Sequence, residues 1–279
     1  MKRSVSRRRF LQTMAAGGLG AASYMHWCEP GWLRVGRHTV PIDPALPQVR
    51  ILHISDLHAS PVVSLRQIGE ATDLGLSLKP DLVCLTGDYI TRKYDYFAEL
   101  GQLLKGFGRA APTFACLGNH DGGRWSARRG YADTSKVETM LSDAGVTLLR
   151  NRSATITLNQ RPLTLVGVGD MWAEDLDATK AFKGVAETPR ETVVLLSHNP
   201  DSKSRVQHFP WDLMLSGHTH GGQLWIPMIG APFAPVRDKR FVKGLRRWND
   251  RWIHVTKGVG NLHGLRLNCP PEVSLLTLA

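Results

Sequence analysis

Five short apolar runs, each ending in a turn that carries Asp, Asn or His, constrain this chain more than any other feature. Val49 to Ser55 precedes Asp56-Leu57-His58, and Asp81 to Thr86 precedes Gly87-Asp88. Thr113 to Leu117 precedes Gly118-Asn119-His120-Asp121, Val193 to Leu196 precedes Ser197-His198, and Leu213 to Leu215 precedes Gly217-His218-Thr219-His220. Near-continuous apolar runs of this length read as buried strands. Open α/β sheets place their ligands at strand ends, so metal-ligating side chains repeated at five exits describe one site assembled from distant segments. A lone His at a strand end is ordinarily a hydrogen-bonded structural residue. Five loaded exits are hard to explain that way.

The intervening segments predict the rest of the architecture. Helical apolar spacing covers Leu65 to Leu78, Tyr96 to Phe107 and Ser135 to Ala144, which gives a βαβαβ order and a parallel sheet under helices. The second half changes character. Val146 to Leu149, Ala154 to Leu158 and Leu163 to Val168 are separated by turn residues and predict a meander. Short strands are expected at Leu224 to Ile226, Trp252 to Thr256 and Val273 to Leu278, with an edge strand at Arg34 to Pro41. No composition break follows residue 48. Residues 49–279 therefore read as one α/β domain of two facing sheets with helices outside, after a lead-in over 29–48 rich in Pro, Gly and Trp.

The first 28 residues read as a targeting segment and N-terminal anchor. Ser6-Arg7-Arg8-Arg9-Phe10-Leu11-Gln12 carries a twin-arginine pattern, followed by a small-residue run from Met14 to Met25. That run is shorter and richer in Gly and Ala than a membrane span of ~20 apolar residues. The expectation is export through the twin-arginine machinery, with a periplasmic or extracytoplasmic, membrane-associated location. Formal charge is +11; Lys2, Arg3, Arg7, Arg8 and Arg9 supply five of these positives, which leaves +6 for the remainder. This mild excess suits an anionic substrate or an anionic membrane surface, and it speaks against nucleic acid as a partner. The basic and aromatic stretch Arg237 to Trp252 suits anionic lipid headgroups, although such a run is more often an exposed hairpin. Four cysteines without CxxC spacing exclude a cysteine-cluster zinc site. Cys84 and Cys116 read as buried thiols, while Cys28 and Cys269 lie in Pro-flanked loops that pair if the chain is exported and the geometry allows.

The strand exits supply carboxylates, an amide and imidazoles without thiolate. Such a set favours Mn, Fe or Zn over the oxygen-only preferences of Mg and Ca. In this order the elements DxH, GD, GNHD, H and GHTH resemble the calcineurin-like metallophosphoesterase superfamily from Val49 to Leu278. His220-Gly221-Gly222-Gln223 and Pro270-Pro271-Glu272-Val273 resemble, more narrowly, its exported YaeI-type phosphodiesterases. The resemblance implies a four-layer α/β/β/α sandwich of two mixed sheets flanked by helices, holding two divalent ions, manganese first. It implies that Asp56, His58, Asp88 and His220 hold one ion, and Asp88, Asn119, His198 and His218 the other, with Asp88 shared. Two divalent ions against two carboxylates keep about +2, which attracts phosphate and lowers the pKa of a bridging water. The implied reaction is in-line attack of a bridging hydroxide on phosphorus, with His120 protonating the leaving oxygen and Asp121 orienting His120. Purple acid phosphatases of this superfamily carry Tyr three residues after the shared Asp. Thr91 stands there, which argues against a charge-transfer ferric site.

Weaker candidates surround this set. Arg266 and Arg124 are candidate phosphate contacts, Arg128 and Arg129 candidate lining of the entrance, and Asp170 either supports the ligands or closes an ordinary turn. The leading function is hydrolysis of a phosphodiester. The alternatives are a pyrophosphate hydrolase acting on a nucleotide-linked lipid such as UDP-diacylglucosamine, a monoesterase, and a scaffold that binds metal without catalysis.

Overall fold

The apolar runs become the central strands of two six-stranded sheets in the computed structural model, which describes residues 6–43, 47–122, 126, 133–185 and 191–279. The first sheet comprises β1 (Arg34–Val40), β2 (Val49–Ile54), β3 (Leu82–Thr86), β4 (Thr113–Cys116), β5 (Thr147–Leu148) and β12 (Glu272–Leu278). Its order is β1-β12-β2-β3-β4-β5, parallel throughout except where β12 meets β2. The second comprises β6 (Arg152–Leu158), β7 (Arg161–Gly167), β8 (Thr192–Leu196), β9 (Leu213–Ser216), β10 (Gly244–Trp248) and β11 (Arg251–Val255). Its order is β10-β11-β9-β8-β7-β6, with antiparallel hairpins at both edges and a parallel centre.

Strand alternation sorts the apolar side chains into layers. Ile51, Leu82, Cys84 and Cys116 meet Leu165, Val194, Leu196 and Leu215 between the sheets. Leu52, Ile54, Val83 and Leu85 face the other way, under α2 (Leu65–Ser77), α3 (Phe97–Ala110) and α4 (Ser135–Asp143). Ser64 caps α2 by accepting from the Gln67 amide, and α3 buries Leu100, Leu104 and Phe107 on one stripe. The outer face of the second sheet packs on α5 (Ala178–Ala181) and on Phe182, Trp211 and Phe241.

Three expectations change. The meander is not continuous: β5 joins the first sheet beside β4, and only β6 and β7 form a hairpin. Alternation of turns and apolar residues carries no information about which sheet a strand enters. Leu224 to Ile226 makes two isolated bridges, to Leu267 and Gly230, instead of a strand. Cys28 is exposed and Cys269 buried, both as free thiols, and the Cys269 thiol donates to the His220 carbonyl at 3.2 Å. Burial of Cys84 and Cys116 holds both thiols above the usual range.

Residues 29–42 are tied into the sheet. β1 forms its edge, and the Glu29 carboxylate, 1% exposed, accepts from the amides of Asn268 (2.9 Å) and Cys269. Ahead of it lies α1 (Arg7–Ser23), capped by Ser6 and exposing Leu11, Met14 and Leu19. Among the described residues no helix is long and apolar enough to cross a membrane. Replacing Glu29 by Ala strands two amides in a buried loop, so chemical denaturation is expected to show a loss of about 2 kcal/mol.

Candidate metal centre

The exits of β2, β3, β4, β8 and β9 open at one end of the sandwich, and their polar side chains converge there. Two backbone devices aim them. Asp56, His58, Asp88, His218 and His220 all adopt left-handed backbone, with φ between 50° and 67°. Non-glycine residues tolerate this at about 1–3 kcal/mol each, and it occurs where function demands a direction for the side chain. Glycines then clear the space. A Cβ on Gly118 would overlap Asp88 Oδ1, and one on Gly217 would overlap Ser55 Oγ and Asp56 Oδ2.

The ligand atoms cluster tightly. One oxygen or nitrogen from each of Asp56, His58 and His220 lies within 4.8 Å of the others, and the same holds for Asp56, Asp88 and His198. His58 Nε2 lies 3.1 Å from His220 Nε2 and 3.4 Å from Asp88 Oδ2. His198 Nε2 lies 3.1 Å from Asp88 Oδ2 and 3.3 Å from His218 Nδ1. Asn119 Oδ1 and His218 Nε2 are buried without a hydrogen-bond partner.

The far nitrogens settle the tautomers. His198 Nδ1 faces the Thr86 carbonyl at 2.7 Å and His220 Nδ1 the Gly260 carbonyl at 3.3 Å, so both nitrogens donate. His58 Nδ1 donates to Thr91 Oγ1 (3.2 Å), because that hydroxyl spends its own proton on the His58 carbonyl. His58 and His220, neutral and anchored this way, point bare Nε2 lone pairs at each other, an arrangement that repels unless a cation lies between them, whereas Asp88 beside His198 Nε2 raises that imidazole well above its usual range. Burial holds His58, His218 and His220 below the usual imidazole range, which keeps them available as ligands. Asp88 is pushed up by burial, yet His198 and the other imidazoles carry it well below the usual carboxylate range. The donor set fits two divalent cations.

Residues 49–222 match the calcineurin-like phosphoesterase family. The chain belongs to that family. It is 45% identical to the Escherichia coli phosphodiesterase YaeI over 98% of this chain and 99% of that one. It is 28% identical, over 95% of each chain, to the UDP-2,3-diacylglucosamine pyrophosphatase LpxG of Chlamydia trachomatis. The structure of TT1561 from Thermus thermophilus matches its fold with a TM-score of 0.51 at 13% identity, over 76% of this chain and 91% of that one.

Two assignments within this phosphoesterase change. Asp121 does not orient His120. Its carboxylate accepts from the amides of Asp88 (2.7 Å), Tyr89 (2.7 Å) and Gly118 (2.8 Å), while His120 Nδ1 meets the Thr91 carbonyl at 2.6 Å. Burial and the nearby Asp88 push Asp121 up to about 8, against these three donors that favour its anion. Arg266 does not reach a substrate. It is wholly buried and its guanidinium donates to the carbonyls of Cys269, Lys257, Gly258 and Gly260, clamping the loop that anchors His220. Arg124, Arg128 and Arg129 lie outside the described residues. Asp170 Oδ1 caps the turn at Trp172 and Ala173, and its Oδ2 is buried without a partner.

The phosphoesterase site floors a cavity of about 750 Å³. Asp88, Asn119, His120, His218 and His220 line its base, Arg92 and Lys93 one wall, and Val62, Leu262, Phe233 and Pro235 an apolar rim. Sequence reading passed over Arg92, Lys93 and Trp172. The basic pair follows Asp88 by only four and five residues, a signal within reach, whereas Trp172 reaches His218 (ring centroids 4.3 Å apart) through a tertiary contact alone. Thr91 anchors two histidines, one through a carbonyl that no side-chain pattern reveals. Gly118→Ala is expected to displace the Asp88 carboxylate and lower bound metal per chain, read by elemental analysis, with the fold retained by circular dichroism.

Proposed function

We propose that this chain is a metal-dependent phosphodiesterase of the cell envelope. The observation that carries it is the convergence of imidazole nitrogens, two carboxylates and the orphaned Asn119 oxygen under a cavity that Arg92 and Lys93 also line. The 45% identity to a phosphodiesterase supports the same reading. Asp56, His58, Asp88 and His220 would hold one divalent ion and Asp88, Asn119, His198 and His218 the second, with manganese proposed ahead of iron and zinc. When bound, the ions supply Lewis-acid polarisation of the phosphate and an acidified water for in-line attack.

The chain's own groups do the rest. Arg92 and Lys93 draw the phosphate into the cavity. His120 orients its ring through Nδ1 on the Thr91 carbonyl and lines the cavity, which makes it the group proposed to protonate the departing alkoxide. Asp121 keeps the β3 and β4 exits in register, so Asp88 and Asn119 face the same point.

The apolar rim favours a substrate with a lipid arm. The alternative of a pyrophosphate bond in a nucleotide-linked lipid draws on the same rim and on the resemblance to a UDP-diacylglucosamine pyrophosphatase. The twin-arginine pattern in residues 6–12 supports export. Exposed Met228, Ile229 and Phe233 and the apolar side chains of α1 support contact with an anionic membrane surface.

With manganese supplied, wild type is expected to cleave an aryl phosphodiester faster than the matching monoester. Asn119→Ala should lose metal and activity together, whereas His120→Gln should keep its metal and lose about 10²–10⁴-fold in kcat. A metal-loaded wild type that cleaves neither ester would remove the phosphodiesterase reading. For the membrane, the full chain should sediment with phosphatidylglycerol vesicles, and Met228→Ser with Phe233→Ser should weaken that binding several-fold. Equal sedimentation of both would assign the exposed residues no such role.

A further inference from the structure

A second constellation of metal-ligating side chains lies away from the phosphate cavity, where the edge of the first sheet faces the second. His38 on β1, Glu272 on β12 and His254 on β11 each present one nitrogen or oxygen, and these three atoms lie within 4.8 Å of one another. His254 and Glu272 are buried, and His38 is half-buried at the open edge. The His38 and His254 rings approach to 4.7 Å between centroids.

The hydrogen bonds around His254 show why it is able to bind a cation. Its Nδ1 lies 2.9 Å from His53 Nδ1, and His53 Nε2 lies 2.8 Å from Thr86 Oγ1. Burial holds both rings neutral, with His53 pushed down to about 3 and His254 well below its usual range. One proton therefore serves the Nδ1 pair. When His254 donates it, His53 accepts at Nδ1 and donates from Nε2 to Thr86, and His254 Nε2 becomes a bare lone pair. That nitrogen is fully buried and has no hydrogen-bond partner.

Glu272 is built for the same place. Lys257 Nζ meets its Oε2 at 2.8 Å and Ser274 Oγ donates to its Oε1 at 2.8 Å. Gly36, on the neighbouring strand, leaves room for the carboxylate: a Cβ there would lie 2.9–3.1 Å from the carboxylate carbon and both oxygens. Lys257 also competes with a cation for the carboxylate.

We infer that His38, His254 and Glu272 form a separate mononuclear site for a borderline divalent cation of the zinc class, one that pins the edge strand β1 to the opposite sheet. Two imidazoles and one carboxylate with a solvent-facing fourth position suit zinc, whose ligands stand about 3.3 Å apart at bond lengths near 2.0 Å. This inference is independent of the dinuclear reading, since it uses none of the same ligands.

The test compares the full chain with His38→Gln, a change at the half-buried edge, after zinc loading and exhaustive dialysis. Elemental analysis is expected to find one zinc fewer per chain in the variant. Added zinc should raise the unfolding midpoint more in wild type than in the variant, with phosphodiester hydrolysis retained by both. Lys257→Met frees Glu272 from its ion pair and should tighten that zinc several-fold, read by competition with a chromogenic chelator. Equal zinc content and equal midpoints in wild type and His38→Gln would overturn the site, leaving the histidines as a polar network. Should His38→Gln fail to fold, unchanged zinc affinity in Lys257→Met would overturn it equally.

Discussion

The Asp121 carboxylate, buried and gripped by three backbone amides, is the interaction on which the metal centre depends. Its donors come from the exits of two neighbouring strands, Gly118 after β4 and Asp88 with Tyr89 after β3. Hydrogen bonds from amides to a buried carboxylate are stronger than neutral ones, and each donor left unpaired there would cost about 1–3 kcal/mol. The two loops are thereby locked to one another. His120 extends the lock, since its amide donates to Asp88 Oδ1 at 2.8 Å. Asp88 is consequently held by backbone on one side while its other oxygen faces His58 and His198.

Around that lock the fold stores strain and spends packing. Five site residues in left-handed backbone and the facing lone pairs of His58 and His220 are locally unfavourable. They persist because the strands that carry them lie in the middle of both sheets, sealed by apolar layers on each face. A close-packed interior resists the small shifts that would relax the strain. The same rigidity holds the imidazoles apart at distances a cation can bridge, so little reorganisation is needed when metal arrives.

The second sheet contributes differently from the first. The first sheet supplies the carboxylates and Asn119, and the second supplies His198, His218 and His220 from the exits of β8 and β9. His198 is then fastened back to the first sheet through the Thr86 carbonyl, and His218 through its amide on Asp56. The metal centre is therefore also a seam between the sheets, and Arg266 secures the loop that borders it.

The residues that converge at the site were legible because each follows an apolar run, and strand exits are a local property of sequence. Asp56, His58, Asp88, Asn119, His198, His218 and His220 all stood out on that basis, as did the layered α/β architecture and most strand positions. Tertiary structure alone decided the partners. Asp121 and Arg266 look like site chemistry in the sequence, yet both satisfy backbone groups: Asp121 reaches the distant amides of Asp88 and Tyr89, and Arg266 the carbonyls of its own loop. Thr91 acts partly through a carbonyl, which every residue possesses. β5 could not be assigned to its sheet, and His38 could not be placed beside residues 254 and 272, because neither relation has a sequence period. Side-chain type and spacing determine which groups reach a strand end. Which group then meets which is set by packing across hundreds of residues, where no local pattern carries the information.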